Sequence, residues 1–155
     1  AGHSLGEFAA LSAAGALTFR DGLRLVRKRG ELMKQADELS PGAMAAILAL
    51  PVEQIESLCI QAQDETGQVV QVANDNCPGQ TVISGNEVAL QRAVELVKEA
   101  GARRVVRLPI TIAAHTELMN SVSGAFATAV DEVSLQAPQI PVIGNVTAQP
   151  VQTVA

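Results

Sequence analysis

The chain has 155 residues, 48% of them hydrophobic and only 17% charged, with no Trp or Tyr. That is enough for one compact domain and leaves little aromatic surface on which nucleic-acid bases could stack. A net charge of −5 argues against a nucleic acid or an anionic membrane surface as partner, and no apolar run approaches the roughly 20 residues of a membrane span.

The first residues, AGHSLGEF, contain G-x-S-x-G, with Gly2, Ser4 and Gly6 in the pattern of a nucleophile elbow. In such an elbow a strand turns sharply into a helix and exposes a serine hydroxyl. The strand leading into it is expected before Ala1, and the following helix over 5–14, stopped by Gly15. Thr18 and Asp21 form a T-x-x-D start for a helix over 19–39, ended by Ser40, Pro41 and Gly42. AMAAILAL at 43–50 reads as a buried strand, with Pro51 at the first position of a helix that carries Ile55, Leu58 and Ala62. A turn at Thr66–Gly67 precedes a strand over 69–74. NDNCPGQ reads as a loop before a strand over 81–85. Asn86 caps a helix through Ala100, Gly101 closes it, and 103–108 is a further strand. Thr116–Asp131 reads as a helix, and IPVIGNV at 140–146 as a buried strand of the parallel-sheet kind.

The order β-α-β-β-α-β between 43 and 108 is the ferredoxin-like pattern. It reads as a small subdomain inserted into a larger α/β layer made of 1–42 and 109–155. Cys59 and Cys77 are too far apart for a C-x-x-C redox or zinc motif, so the expectation is no metal site and a reducing, cytoplasmic setting. All eleven basic residues fall in two blocks, 20–34 and 92–107.

A serine hydroxyl needs a base to become a nucleophile. The chain has two histidines. His3 sits within the elbow, where a neighbouring side chain points away from the nucleophile, whereas His115 lies between a strand and a helix, where catalytic groups are commonly held. His115 is therefore the expected base. At 100° per residue, the 19–39 helix places Arg29 in the middle of the arc formed by Leu23, Leu25, Val26, Gly30, Leu32 and Met33. A guanidinium there calls for an anion, either a protein carboxylate or one on a ligand.

GHSLGE at 2–7, VRKRGELM at 26–33, NDNCPGQTVISG at 74–85, AAHTELM at 113–119 and GNVTA at 144–148 occur in the order found in malonyl-CoA:acyl carrier protein transacylases. Along its whole length the chain resembles that family, which includes the acyltransferase domains of fatty acid and polyketide synthases. The resemblance implies an α/β-hydrolase-like large subdomain with the ferredoxin-like small one inserted. It also implies Ser4 as acyl-accepting nucleophile, His115 as base, Arg29 as partner of the malonyl carboxylate, and the Leu5 backbone amide as one oxyanion donor. The implied reaction is a ping-pong transfer from malonyl-CoA to the phosphopantetheine thiol of acyl carrier protein. Coenzyme A thioester is then a substrate, and no bound cofactor is expected. The family's second oxyanion amide belongs to a G-Q-G-rich segment, expected before Ala1. The carbonyl that orients its histidine is expected beyond Ala155. Many malonyl-selective members carry Phe before that histidine, where this chain has Ala114 in the acyl pocket. Leu5 is the more usual residue for malonyl, which is the favoured substrate. The rival readings are a serine hydrolase or thioesterase using the same elbow, with Glu117, Asp131 and Glu132 the acids nearest His115 in sequence, and an inactive fragment.

Overall fold

A computed structural model describes residues 1–151; the last four residues of the 109–155 segment lie outside the described residues. In chain order the elements are α1 (Gly6–Ala13), α2 (Phe19–Leu39), β1 (Ala43–Leu48), α3 (Val52–Thr66), β2 (Val70–Cys77), β3 (Gln80–Gly85), α4 (Glu87–Glu99), β4 (Arg104–Arg107), a 3-10 turn (Glu117–Met119), α5 (Asn120–Asp131), β5 (Val142–Ile143) and β6 (Pro150–Val151). The chain is α/β. It divides into two compact units, one of residues 1–32 with the chain from Gly124 onward, the other Met33–Ser123.

In the Met33–Ser123 unit the sheet order is β2-β3-β1-β4, with every neighbouring pair antiparallel. Successive residues of a strand point to opposite faces, and β1 follows that rule. Ala43, Ala45 and Ile47 join Ile55, Cys59 and Ala62 of α3 and Leu90, Ala93 and Val97 of α4 in one core. Met44 faces the other way, into a smaller cluster with Val82 and Ala114, flanked by Ala46, Leu108 and Ile112. Ile47, Ile55, Ile83 and Leu90 have no solvent exposure, and burying each contributes about 1.5–3 kcal/mol. Gly85 is required by crowding, because a Cβ there would lie 2.1 Å from the Val69 carbonyl oxygen.

The other unit is held by less regular contacts. Phe8 of α1 meets Phe126 of α5 edge to face at 6.2 Å. The chain after α5 runs beside the α1–α2 connection, where the Gln136 and Gln139 amides donate to the Ala16 and Ala14 carbonyls at 2.9 and 2.8 Å. α2 has the bounds its sequence predicts, and its start is tied as T-x-x-D suggests. The Asp21 amide donates to Thr18 Oγ1 at 3.1 Å, and that hydroxyl donates to Asp21 Oδ2 at 2.7 Å.

Several local expectations are corrected. Pro51 is the N-cap of α3, with extended backbone, rather than its first helical residue. NDNCPGQ is not a loop, because β2 continues through Cys77 by way of two register shifts and the turn closes at Gly79, whose φ is +82°. Asn86 precedes α4 but does not cap it with its side chain; Oδ1 accepts instead from the Val69 amide at 3.1 Å. Thr116 opens a 3-10 turn before α5. IPVIGNV yields only the two residues of β5, paired antiparallel with β6. Ile140 and Val146 are exposed, and the chain turns at Gly144, whose carbonyl accepts from the Ala148 amide at 3.0 Å. A chain that folds back so soon cannot extend a strand.

Candidate active site

Ser4 sits where G-x-S-x-G requires a sharp turn. Its φ is +49°, in the left-handed region that non-glycine residues seldom occupy. The turn is closed by the Gly6 amide donating to the His3 carbonyl at 2.8 Å, and α1 begins at once, the Glu7 amide reaching the Ser4 carbonyl at 3.1 Å. Leu5 is the N-cap of α1 and half-exposed. The helix therefore starts beside the hydroxyl, with its first amides and positive dipole end where negative charge is favoured. Gly2 has to be glycine, since a Cβ there would lie 2.0 Å from the Gly6 carbonyl oxygen.

Within the same unit α2 brings Arg29 to this turn. Arg29 Nη2 donates to Ser4 Oγ at 2.9 Å, across 25 residues of sequence. Arg29 is half-buried on the stripe that also carries Gly22, Leu25, Leu32 and Ala36, all buried. The arc drawn from the sequence is thereby narrowed, since Leu23 and Gly30 are exposed. A planar cation at the serine oxygen can pair with a carboxylate carried a few bonds beyond that oxygen.

Asn145 completes the turn, a role that nothing local in its sequence signals. Its side-chain Oδ1 accepts from the Ser4 amide at 3.0 Å, and its Nδ2 donates to the Gly2 carbonyl at 2.6 Å. Glu7 holds Asn145 in turn: Oε2 accepts from Nδ2 at 3.2 Å and Oε1 from the Asn145 backbone amide at 3.3 Å. GNVTA and GHSLGE are both motifs, but nothing in either says that one clasps the other.

In the Met33–Ser123 unit, His115 is an exposed residue with φ +61°. The segment before it is drawn against β1. The Gly42 amide donates to the Thr111 carbonyl at 2.7 Å, and a Cβ on Gly42 would lie 2.4 Å from that of Ala113. Thr111 Oγ1 donates to Asp37 Oδ2 at 3.0 Å. After it, Thr116 Oγ1 donates back to the Ala113 carbonyl at 2.8 Å, and the Glu117 amide donates to Gln71 Oε1 at 3.0 Å. His115 is thus held from both sides in a strained conformation, a feature that clusters at functional positions. Ala114 is buried among Met44 and Val82. His3 is exposed.

Much of the two basic blocks is engaged in surface ion pairs. Arg24 pairs with Asp21, Arg27 with Glu31, Lys34 with Glu38 and Arg107 with Glu87. Arg92 bridges Glu65 at 2.5 Å and Glu95 at 3.3 Å. The hydrogen bond from Arg92, with help from Gln61, holds the Glu65 carboxyl below the usual glutamate range. Burial, with Glu56 nearby, pushes the Cys59 thiol up to about 12. Among the described residues there is no group of three or more His, Cys, Asp or Glu placed to hold a metal ion, and no helix is long and apolar enough to cross a membrane.

A serine in a strained turn at a helix start, with an arginine on its hydroxyl, suits a site that carries an acyl group. The acyl transferase domain family matches residues 1–154, and the chain belongs to that family. Within it, the chain is 45% identical over 148 residues to the malonyl CoA-acyl carrier protein transacylase of Bacillus subtilis, a match covering 96% of this chain and 46% of that one. It is 42% identical over 146 residues to the Escherichia coli protein of the same name, covering 94% and 47%. The chain spans about half the length of these curated relatives. Among solved structures, the malonyl CoA-acyl carrier protein transacylase of Coxiella burnetii superposes with a TM-score of 0.92 at 42% identity, covering 97% of this chain and 47% of that one. A malonyl-transacylase in complex with its type II polyketide acyl carrier protein superposes with a TM-score of 0.92 at 38% identity, covering 97% and 48%.

Proposed function

We propose that the chain carries the nucleophile and acyl-binding elements of an acyltransferase that moves a malonyl group from malonyl-CoA to the phosphopantetheine thiol of acyl carrier protein. The observation that carries this reading is the 2.9 Å contact between Arg29 Nη2 and Ser4 Oγ. An acyl group esterified to Ser4 places its own carboxylate within a few bonds of that oxygen, so a fork of N–H donors there favours a carboxylated acyl group. A plain serine hydrolase has no use for such a cation.

In the proposed reaction Ser4 Oγ attacks the thioester carbonyl carbon while His115 takes its proton. The tetrahedral oxyanion collapses with cleavage of the C–S bond, and coenzyme A leaves with the proton from His115. Asn145 already engages the Ser4 amide, so the oxyanion is assigned to the Leu5 amide at the start of α1. The carrier thiol then gives its proton to His115 and attacks the seryl ester, and Ser4 Oγ recovers the proton as it leaves. Arg29 keeps the malonyl carboxylate turned away from the reacting carbonyl, and Ala114 borders the acyl chain. Coenzyme A thioester enters as substrate, with no bound cofactor, in a cytoplasmic setting.

The same reading gives the finer architecture. The antiparallel β2-β3-β1-β4 sheet with α3 and α4 on one face supports a ferredoxin-like small subdomain over 43–108. The segments 1–42 and 109–155 then belong to an α/β-hydrolase-like large one. The test is to incubate the full-length chain carrying this sequence with radiolabelled malonyl-CoA and map the label by mass spectrometry. A malonyl ester on Ser4, absent from S4A and discharged by the carrier thiol, is expected. Label elsewhere, or loss to water but not to the carrier, would refute the proposal.

A further inference from the structure

We infer that Asn145 is a positioning residue for the nucleophile, and that Glu7 sets the orientation in which it works; the inference rests on Ser4 being the acyl carrier. A serine at φ +49° persists only where its surroundings over-determine it. The bonds that G-x-S-x-G makes by itself, from the Gly6 and Glu7 amides, lie on the helical side of the turn. On the other side a side-chain amide does the same work. Asn145 Nδ2 donates to the Gly2 carbonyl and Oδ1 accepts from the Ser4 amide, so it spans His3 as the N–H and C=O of one residue on a neighbouring parallel strand would.

Glu7 makes this arrangement single-valued. Its carboxylate accepts from both the Asn145 backbone amide and Nδ2. If the Asn145 amide were flipped, its oxygen would face the Gly2 carbonyl and the Glu7 carboxylate, and its NH2 would face the Ser4 N–H. Each of these side-chain contacts would then set donor against donor or acceptor against acceptor. Asn145 itself is presented by a tight turn, in which Gly144 exchanges bonds with Gln149 and Ala148 at 3.0 Å and Ala148 is left-handed, at φ +53°. The loop is thus fixed by its own bonds, and what it offers the elbow is an amide.

Two consequences follow for catalysis. The Ser4 amide is committed to Asn145, so it cannot serve the oxyanion. The direction of the Ser4 Cα–Cβ bond depends on a clasp made through the backbone of Gly2 and Ser4, apart from the Arg29 contact at Oγ. Loosening the clasp should therefore slow acylation while leaving substrate affinity alone.

The test is single-turnover malonylation of Ser4 in the full-length chain, followed by mass spectrometry for wild type, N145D, E7Q and N145D/E7Q, with thermal melts alongside. N145D replaces two donors with acceptors and sets a second carboxylate against that of Glu7, and its saturating rate should fall about a hundredfold, as for a nucleophile misplaced by an ångström. Half-saturation by malonyl-CoA should stay within about twofold. E7Q supplies a donor toward the carboxylate that N145D introduces, so the double variant should recover about tenfold of the lost rate, the coupling expected of residues in direct contact. E7Q alone, with a milder loss, keeps the test open if N145D does not fold. An unchanged rate in N145D or E7Q, or a double variant no faster than N145D at equal melting temperature, overturns the inference while leaving Ser4 as carrier. Absence of label on wild-type Ser4 overturns the functional reading itself, and the inference with it.

Discussion

Replacing Arg29 by Ala separates two things that one side chain does. In the structure Nη2 donates to Ser4 Oγ at 2.9 Å; a hydrogen bond of a charged group contributes about 1.5–3 kcal/mol when buried, which the partial exposure of Arg29 lowers to ~1–1.5 kcal/mol. That contribution is felt by any acyl donor. The malonyl carboxylate adds a paired, charge-assisted contact whose two bonds would each contribute about 1.5–3 kcal/mol if fully buried. Arg29 is only half-buried, so solvent screening reduces the pair to about 2–3 kcal/mol in total. The expected outcome for R29A is therefore a fall of about tenfold in kcat/KM for acetyl-CoA and a further fall of roughly 30- to 150-fold for malonyl-CoA. R29K keeps the charge but not the fork, and its malonyl-to-acetyl ratio should lie between wild type and R29A. The assay is acyl transfer to carrier thiol with each donor under identical conditions. Equal losses for both donors would refute the assignment of Arg29 to the carboxylate, even if activity were low.

Further outcomes test the fold and its ionisable groups. Ile83→Ala removes a side chain with no solvent exposure from the main core, and urea denaturation should show a loss of about 2–5 kcal/mol. Glu65, held below the usual glutamate range chiefly by Arg92, should titrate by NMR below an ordinary glutamate and return toward it in R92A. Because its folded pKa is the lower one, its contribution is present above the unfolded value and disappears as pH falls through the folded value. R92A should therefore flatten the acid-side stability profile only in that window. Cys59, pushed up to about 12 by burial, should resist iodoacetamide in the native state at pH 8, whereas exposed Cys77 is labelled. Labelling of both at equal rates would contradict the packing of α3 on the sheet.

The elements most legible in the sequence are those whose ends are decided locally. α2 begins at T-x-x-D and stops at Ser-Pro-Gly, and both signals act within four residues of the boundary. The Met33–Ser123 sheet is legible for a related reason: β1 alternates faces, and each helix is a separate apolar stripe. What could not be read depends on a distant partner. NDNCPGQ has the composition of a loop, yet pairing with β3 draws it into β2. Asn86 has the chemistry of a cap, yet the Val69 amide 17 residues away competes for its oxygen. IPVIGNV is apolar enough for a strand, but the turn at Gly144 leaves it only two paired residues.

The site divides in the same way. Arg29 stood out because helical periodicity exposes a charge on an apolar stripe, a property of one helix alone. The elbow is half local. Gly2 is needed because a Cβ there would strike the Gly6 carbonyl, and that crowding lies within five residues. The other half comes from Asn145, 141 residues from Ser4 in sequence, and no spacing rule joins a G-x-S-x-G to an asparagine so remote. A bare G-x-S-x-G is a weak signal because it encodes only the helical side of the turn. The strained serine is held on its other side when a second segment supplies an acceptor for its amide and a donor for the carbonyl two residues earlier. A search for functional elbows should therefore ask of each candidate which distant side chain spans the residue before the serine.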